Sequence, residues 1–127
     1  MTPAQRVLIV EDDDDQRDAL AALVASCGFR VVACRSFEEA SASLASQHPD
    51  VLITDVRLSE RSGLQLANLV ARKYPDVMRV LLTGYDDIDL RKEAARSGTR
   101  FLLKPLKFAE LEAILQAAKA AKNFANS

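Results

Sequence analysis

The 127-residue sequence contains one histidine, two cysteines and no tryptophan. Cys27 and Cys34 are too few for a disulfide framework, and no neighbouring histidine completes a zinc site. We expect both thiols to behave as small buried apolar groups. His48 lies beside a proline in a turn-like segment, which predicts a surface position without a catalytic role. Disulfide-rich and zinc-dependent classes are therefore excluded.

The sequence also lacks an excess of charge of either sign and any long apolar run. Its 17 Lys and Arg residues oppose 18 Asp and Glu residues, so no general field attracts nucleic acid or acidic lipid. No segment is typical of a membrane span or a signal peptide. The hydrophobic fraction of 49% fits one compact domain. We expect a cytoplasmic, single-domain chain over 1–127, with a linker or tail from about 122, that binds neither nucleic acid nor membrane.

Short apolar runs alternate with segments of helical period along the whole sequence. The runs are apolar throughout, which is typical of strands that are covered on both faces. Five strands alternating with five helices imply right-handed crossovers and a parallel sheet, so the fold class is α/β. The predicted strands are RVLIV from residue 6, RVVAC from 30, DVLIT from 50, VMRVLLT from 77 and RFLLK from 100.

Two of the predicted helices carry more specific expectations. Ser36, followed three positions later by Glu39, is the pattern of a capping box at the start of the second helix. The fourth helix, within 86–97, contains seven charged residues and, apart from alanines, only Ile88 and Leu90 as apolar anchors. We therefore expect the fourth helix to be poorly anchored to the sheet.

Five consecutive acids, from Glu11 to Asp15, follow the first predicted strand. Because neighbouring carboxylates repel each other, a solvated loop or a helix N-terminus is the simplest interpretation of the run alone. We keep that interpretation for Asp13 to Asp15. The other strand ends favour a functional role for the first two acids, because ligands of parallel α/β sheets bind beyond the carboxyl ends of the strands. These ends carry Glu11, Asp12, Asp55, Thr83 and Lys104.

Three carboxylates, a hydroxyl and an ammonium at one edge suit a divalent cation and a phosphoryl group. The segments that carry them are LIVEDD, LITDVRLSERSGL, LLTGY and LLKP. These segments, and the intervals between them, resemble the receiver domain of two-component response regulators over nearly the whole chain. The resemblance implies a flavodoxin-like, doubly wound (βα)5 fold with strand order 2-1-3-4-5.

The resemblance also implies the roles of the residues that bind the metal and accept the phosphoryl group. Asp55 is expected to be the phosphoacceptor. Mg2+, or Mn2+ in its place, is expected to bind Asp12 and Asp55 directly, Glu11 through water, and the backbone carbonyl of Arg57.

Other positions match the family's phosphoryl-binding and switch residues. Lys104 is expected to hold one phosphoryl oxygen and Thr83 to bond another after phosphorylation. Phe101 matches an aromatic switch position, although the residue alone favours a core aromatic on burial statistics. The Lys104–Pro105 peptide bond is expected to be cis.

By the same resemblance, a histidine kinase or a histidine phosphotransfer protein is expected to supply the phosphoryl group. The face formed by the fourth helix, fifth strand and fifth helix is expected to change state, and it is a candidate homodimer surface. The chain is not expected to be a conventional enzyme, though it would catalyse its own phosphorylation and dephosphorylation.

Two features depart from the common family pattern. Leu58 and Ser59 stand where many receivers have Met-Pro, which predicts a looser loop without a catalytic group. Arg57 and Tyr85 are bulky residues two positions beyond Asp55 and Thr83. We expect both side chains at the rim of the phosphoryl pocket.

Three other functions fit the sequence less well than a phosphorylated receiver. A pseudo-receiver would lack one of the acids, the acceptor or the lysine, and all are present. A phosphohydrolase of the haloacid dehalogenase type needs its nucleophile after the first strand and a cap domain. This chain is too short to offer that cap. An EF-hand needs glycine at the sixth loop position, where Arg17 or Asp18 falls. A free-standing regulator, a phosphate relay and a receiver within a longer protein all stay open.

Overall fold

The computed structural model of the chain describes residues 5–125. In this part of the chain, five strands form one parallel sheet in the order β2-β1-β3-β4-β5. The predicted flavodoxin-like α/β fold and its strand order are therefore confirmed. The elements are β1 (Arg6–Val10), α1 (Asp14–Ser26), β2 (Arg30–Cys34), α2 (Phe37–Ser46), β3 (Val51–Asp55), α3 (Gly63–Lys73), β4 (Met78–Thr83), α4 (Ile88–Arg96), β5 (Arg100–Leu103) and α5 (Phe108–Ala125).

The two faces of the sheet carry separate cores, because neighbouring strand residues point to opposite faces. Ile9 packs with the buried residues of α1 and α5, while Leu8 packs with those of α2 and α3. Full burial of one such side chain contributes about 1.5–3 kcal/mol to stability. The central strands β1 and β3 are thus held from both sides, which fixes the positions of their carboxyl ends.

The edge strand β2 and the start of β4 are less buried than the sequence predicted. In β2, Arg30, Val32 and Ala33 are exposed, because β2 lies at the edge of the sheet. The strand β4 begins at Met78 instead of Val77, and it is buried only from Val80 onward. The expectation that every strand is covered on both faces is therefore wrong for β2.

The cap of α2 forms only half of the predicted capping box. Ser36 Oγ accepts a hydrogen bond from the backbone N–H of Glu39 at 3.1 Å. The carboxylate of Glu39 instead accepts from the N–H of Arg35, also at 3.1 Å. The residues that form a complete capping box are Ser62 and Gln65, at the start of α3. That box fixes the helix that follows the Asp55 strand.

The histidine and the two cysteines differ in how far they are buried. His48 is exposed, as predicted. Cys34 is buried, and burial raises the pKa of its thiol, whereas Cys27 is only half-buried.

The helix α5 continues to Ala125, past the residue where a tail was expected. No helix among the described residues is long and apolar enough to cross a membrane. The single-domain boundary stays a prediction.

The weak anchoring of α4 is confirmed. Ala94 is the one buried residue in this helix, and the side chain of Ile88 is 66% exposed. By comparison, α3 buries Gly63, Leu66, Ala67 and Val70. Few buried contacts mean that local opening of a helix costs little free energy.

We therefore expect the backbone amides of α4 to exchange with solvent faster than those of α3. Amide hydrogen exchange followed by NMR or mass spectrometry measures this directly. Equal or slower exchange in α4 would contradict the link between sparse burial and local opening.

Candidate metal and phosphoryl site

Three carboxylates meet where the central strands end. Glu11 follows β1, and Asp55 ends the neighbouring strand β3, whose Thr54 pairs with Val10. One carboxylate oxygen each from Glu11, Asp12 and Asp55 lies within 4.8 Å of the others. Such oxygen donors fit a hard divalent cation such as Mg2+ or Mn2+.

The ammonium of Lys104 is in direct contact with two of these carboxylates. Its Nζ atom lies 3.0 Å from Glu11 Oε2 and 3.0 Å from Asp55 Oδ1. Burial raises the pKa of Glu11, and the bond from Lys104 offsets only part of this effect. Burial by itself lowers the pKa of Lys104, but the bonds to Asp55 and Glu11 outweigh it and raise the pKa. Lys104 therefore places a positive charge beside the carboxylate of Asp55.

The remaining acids of the run begin α1, as predicted. Asp13 is the N-cap, and its carboxylate accepts from the backbone N–H of Gln16 at 2.8 Å. Asp14 is exposed and pairs with Arg17, which lowers the pKa of the Asp14 carboxyl. The guanidinium of Arg17 also donates to the backbone carbonyl of Glu11 at 3.1 Å. The run is thus divided between a helix cap and the site.

Gly63 allows the backbone to pack tightly behind Asp55. A Cβ atom at this position would lie 1.9 Å from the carbonyl oxygen of Asp55, far inside contact distance. The N–H of Gly63 also donates to the carbonyl of Val56 at 2.7 Å. Any side chain here would therefore displace β3 or α3.

The loop after Asp55 makes contacts with the core and with the acid cluster. Arg57 and Ser62 form an antiparallel bridge across it, and Leu58 is buried in the core. The hydroxyl of Ser59 donates to Asp12 Oδ2 at 3.2 Å. Leu58 thus anchors the loop and Ser59 contacts the acid cluster, while the expectation that the loop is looser and holds no catalytic group stays a prediction.

Thr83 is the last residue of β4, and Lys104 directly follows β5. The Thr83 side chain is buried, and its Oγ1 accepts from the N–H of Tyr85 at 3.1 Å. The backbone N–H of Lys104 donates to the carbonyl of Thr83 at 2.8 Å, which holds the two strand ends together. The Lys104–Pro105 peptide bond is cis, as the resemblance implied.

Comparison with known proteins agrees with this geometry. The family model described as the response regulator receiver domain matches residues 7–116. The chain belongs to the response regulator receiver family. It is 37% identical over 103 residues to the response regulator protein FleR of Pseudomonas aeruginosa, covering 80% of this chain and 22% of FleR.

Solved receiver structures show the same fold. The signal receiver domain of an HD domain-containing protein from Pseudomonas fluorescens superimposes with a TM-score of 0.89 at 26% identity, covering 99% of this chain and 94% of that one. The beryllofluoride-activated NtrC4 receiver domain dimer has a TM-score of 0.83 at 23% identity, covering 89% and 94%. This receiver domain spans about a quarter of the length of the curated relatives it matches.

Arg57 and Tyr85, the two bulky residues expected at the pocket rim, contact each other. The guanidinium of Arg57 lies over the Tyr85 ring, 4.5 Å from its centroid. A cation over an aromatic face gains about 0.5–1 kcal/mol at exposed sites, and the Tyr85 side chain is 62% exposed. The pair joins the loop after Asp55 to the loop after Thr83.

Phe101 occupies a position between core and surface. It is half-buried, and it packs against the cluster that contains Leu81 and Ala94. The guanidinium of Arg91, from α4, lies 4.6 Å from the ring centroid. Phe101 therefore links α4 to β5, and its switch role stays a prediction.

Sequence reasoning missed two side chains that contact the site. Ser59 bonds Asp12, and the amide oxygen of Gln16 accepts from Lys104 Nζ at 2.7 Å. Gln16 lies in the first turn of α1, directly after the acid run, and that proximity was the available signal. Ser59 carried no comparable signal, because its contact depends on how the loop folds back.

Proposed function

We propose that Asp55 accepts a phosphoryl group from a histidine kinase or a histidine phosphotransfer protein, and that the modified domain changes an interaction surface. The observation that carries this proposal is the contact of the Lys104 ammonium with Asp55 at 3.0 Å, beside the three-carboxylate cluster. A carboxylate acceptor, a metal-binding acid pair and a fixed cation are the parts that phosphoryl transfer to aspartate needs.

In the proposed reaction, one carboxylate oxygen of Asp55 forms a bond to phosphorus. The bond between phosphorus and the donor histidine nitrogen breaks, and its electron pair returns to that nitrogen. The rate of this transfer depends mainly on how the protein positions the reacting groups and stabilises their charge. The domain would thus catalyse its own phosphorylation, and later the hydrolysis of its aspartyl phosphate, without being a conventional enzyme.

The charges on the transferred group need several partners. Asp12 and Asp55 would hold Mg2+ or Mn2+ directly, Glu11 would do so through water, and the carbonyl of Arg57 would add a further oxygen. When bound, the cation neutralises charge on the phosphoryl oxygens. Lys104 would hold one of those oxygens. Thr83 would donate its hydroxyl proton to another, since that hydroxyl now only accepts from Tyr85.

The surface proposed to respond consists of α4, β5 and α5. A bond from Thr83 to the phosphoryl group would pull on the loop that leads into α4, and α4 is held by little buried surface. Phe101 would move with it, because Arg91 of α4 covers its ring. Ile88 and Phe108 are large exposed apolar side chains on α4 and α5. This face is also our candidate for a homodimer interface.

Phosphorylation at Asp55 is tested by incubating the protein with Mg2+ and a small phosphodonor, followed by intact mass measurement. We expect one added phosphoryl group in the wild type, because the acceptor, the acids and Lys104 already lie together. The Asp55→Asn variant should gain no phosphoryl group and should keep the wild-type fold. Equal labelling of both proteins, or none of the wild type, would contradict the proposal.

The Arg57–Tyr85 pair should lengthen the lifetime of the phosphorylated state. Hydrolysis needs a water in line with the leaving carboxylate, and bulky side chains above the phosphoryl group hinder its approach. A guanidinium could instead stabilise transition-state charge, but the cation and Lys104 already neutralise those oxygens. We therefore expect Arg57→Ala and Tyr85→Ala to release phosphate several-fold faster at saturating Mg2+.

The exposed α4 residue Arg96 supplies a matched arginine control. Its Arg96→Ala variant should release phosphate at the wild-type rate. The shielding role must be abandoned if both rim truncations leave the release rate unchanged or slow it.

A further inference from the structure

The Lys104 ammonium has a third acceptor that its family role does not explain. An ammonium carries three N–H donors. Two contact the carboxylates of Glu11 and Asp55, and the third donates to the amide oxygen of Gln16 at 2.7 Å. The shortest of the three contacts is thus made to a neutral side chain from α1.

The backbone around Gln16 is tied to the same segment as the acids. Its N–H is bonded by the N-cap carboxylate of Asp13, and the N–H of Asp13 donates to Glu11 Oε1 at 3.2 Å. The position of Gln16 relative to Glu11 is therefore fixed by two successive hydrogen bonds. The first turn of α1 is held in place next to the end of β5.

Gln16 and Lys104 both line a largely apolar groove between α1 and the segment after β5. Its apolar lining includes Ala19, Leu20, Leu23, Pro105 and Leu106. Apolar walls on this side offer the ammonium few alternative acceptors. A hydrogen bond to a charged group is also stronger than one between neutral groups.

We propose that Gln16 is a positioning residue for the phosphoryl group, acting through Lys104; this inference rests on the proposed function. With a phosphoryl group on Asp55, the ammonium exchanges its contact with Asp55 for a phosphoryl oxygen. Glu11 and Gln16 keep it in place during that exchange. A neutral acceptor serves this purpose well, because it fixes the ammonium without adding a negative charge that would repel the phosphoryl group.

The test compares Gln16→Met with Gln116→Met in the full chain. Methionine preserves length and removes the amide, and both glutamines are exposed helical residues, so both variants should fold. Beryllofluoride affinity at saturating Mg2+ reports phosphoryl binding, and Mg2+ affinity alone reports the acid cluster. We expect Gln16→Met to weaken beryllofluoride binding about three- to tenfold, the loss typical of one net intramolecular hydrogen bond at an exposed position. Its Mg2+ affinity should stay within about twofold of wild type, since the Gln16 amide bonds Lys104 and not the acids.

A second measurement separates positioning from a general structural effect. The side-chain ammonium signal of Lys104 in nitrogen-15 NMR, assigned by its loss in Lys104→Arg, should shift or broaden in Gln16→Met and not in Gln116→Met. Wild-type beryllofluoride affinity in Gln16→Met, or an unchanged Lys104 signal, would overturn the role of Gln16 alone. Failure of the wild type to bind beryllofluoride with Mg2+ would overturn the proposed function and this inference together.

Discussion

The contact of one ammonium with two converging carboxylates is the interaction on which the site depends. Glu11, Asp12 and Asp55 bring three negative charges to one edge of the sheet, and Lys104 is within 3.0 Å of two of them. Carboxylates this close repel one another. Lys104 supplies one positive charge against the three negative charges. The remaining negative charge, carried by oxygen donors, fits a divalent cation.

The fold exists to hold these charges together. The central strands β1 and β3 are buried on both faces, so their carboxyl ends have little freedom to separate. Gly63 lets α3 start against the backbone of Asp55, and the N–H of Lys104 bonds the end of β4. The side chains that differ from the common receiver pattern lie around this frame. Arg57 and Tyr85 join two loops above it, and Ser59 reaches Asp12 from the side.

Much of this arrangement could be predicted from the sequence, because strand periodicity and strand ends are local signals. Asp55, Thr83 and Lys104 end apolar runs, and in a parallel sheet all such ends share one edge. The contacts of Gln16 and Ser59 could not be predicted, because they depend on how side chains and a loop fold back in space. The exposure of β2 was missed for a related reason. Val32 is apolar by sequence and exposed by its place at the sheet edge.

We expect Lys104 to stabilise the metal-free acid cluster and to compete with a divalent cation for its oxygens. The most direct measurement compares the unfolding free energy and Mg2+ affinity of Lys104→Met with those of wild type and of Lys92→Met, an exposed lysine on α4. We expect Lys104→Met to lose about 1–3 kcal/mol of unfolding free energy without Mg2+, less than for a fully buried pair because the lysine is partly exposed, and to bind Mg2+ more tightly. Lys92→Met should change neither quantity. A Lys104→Met protein with wild-type stability and unchanged or weaker Mg2+ binding would contradict the claim.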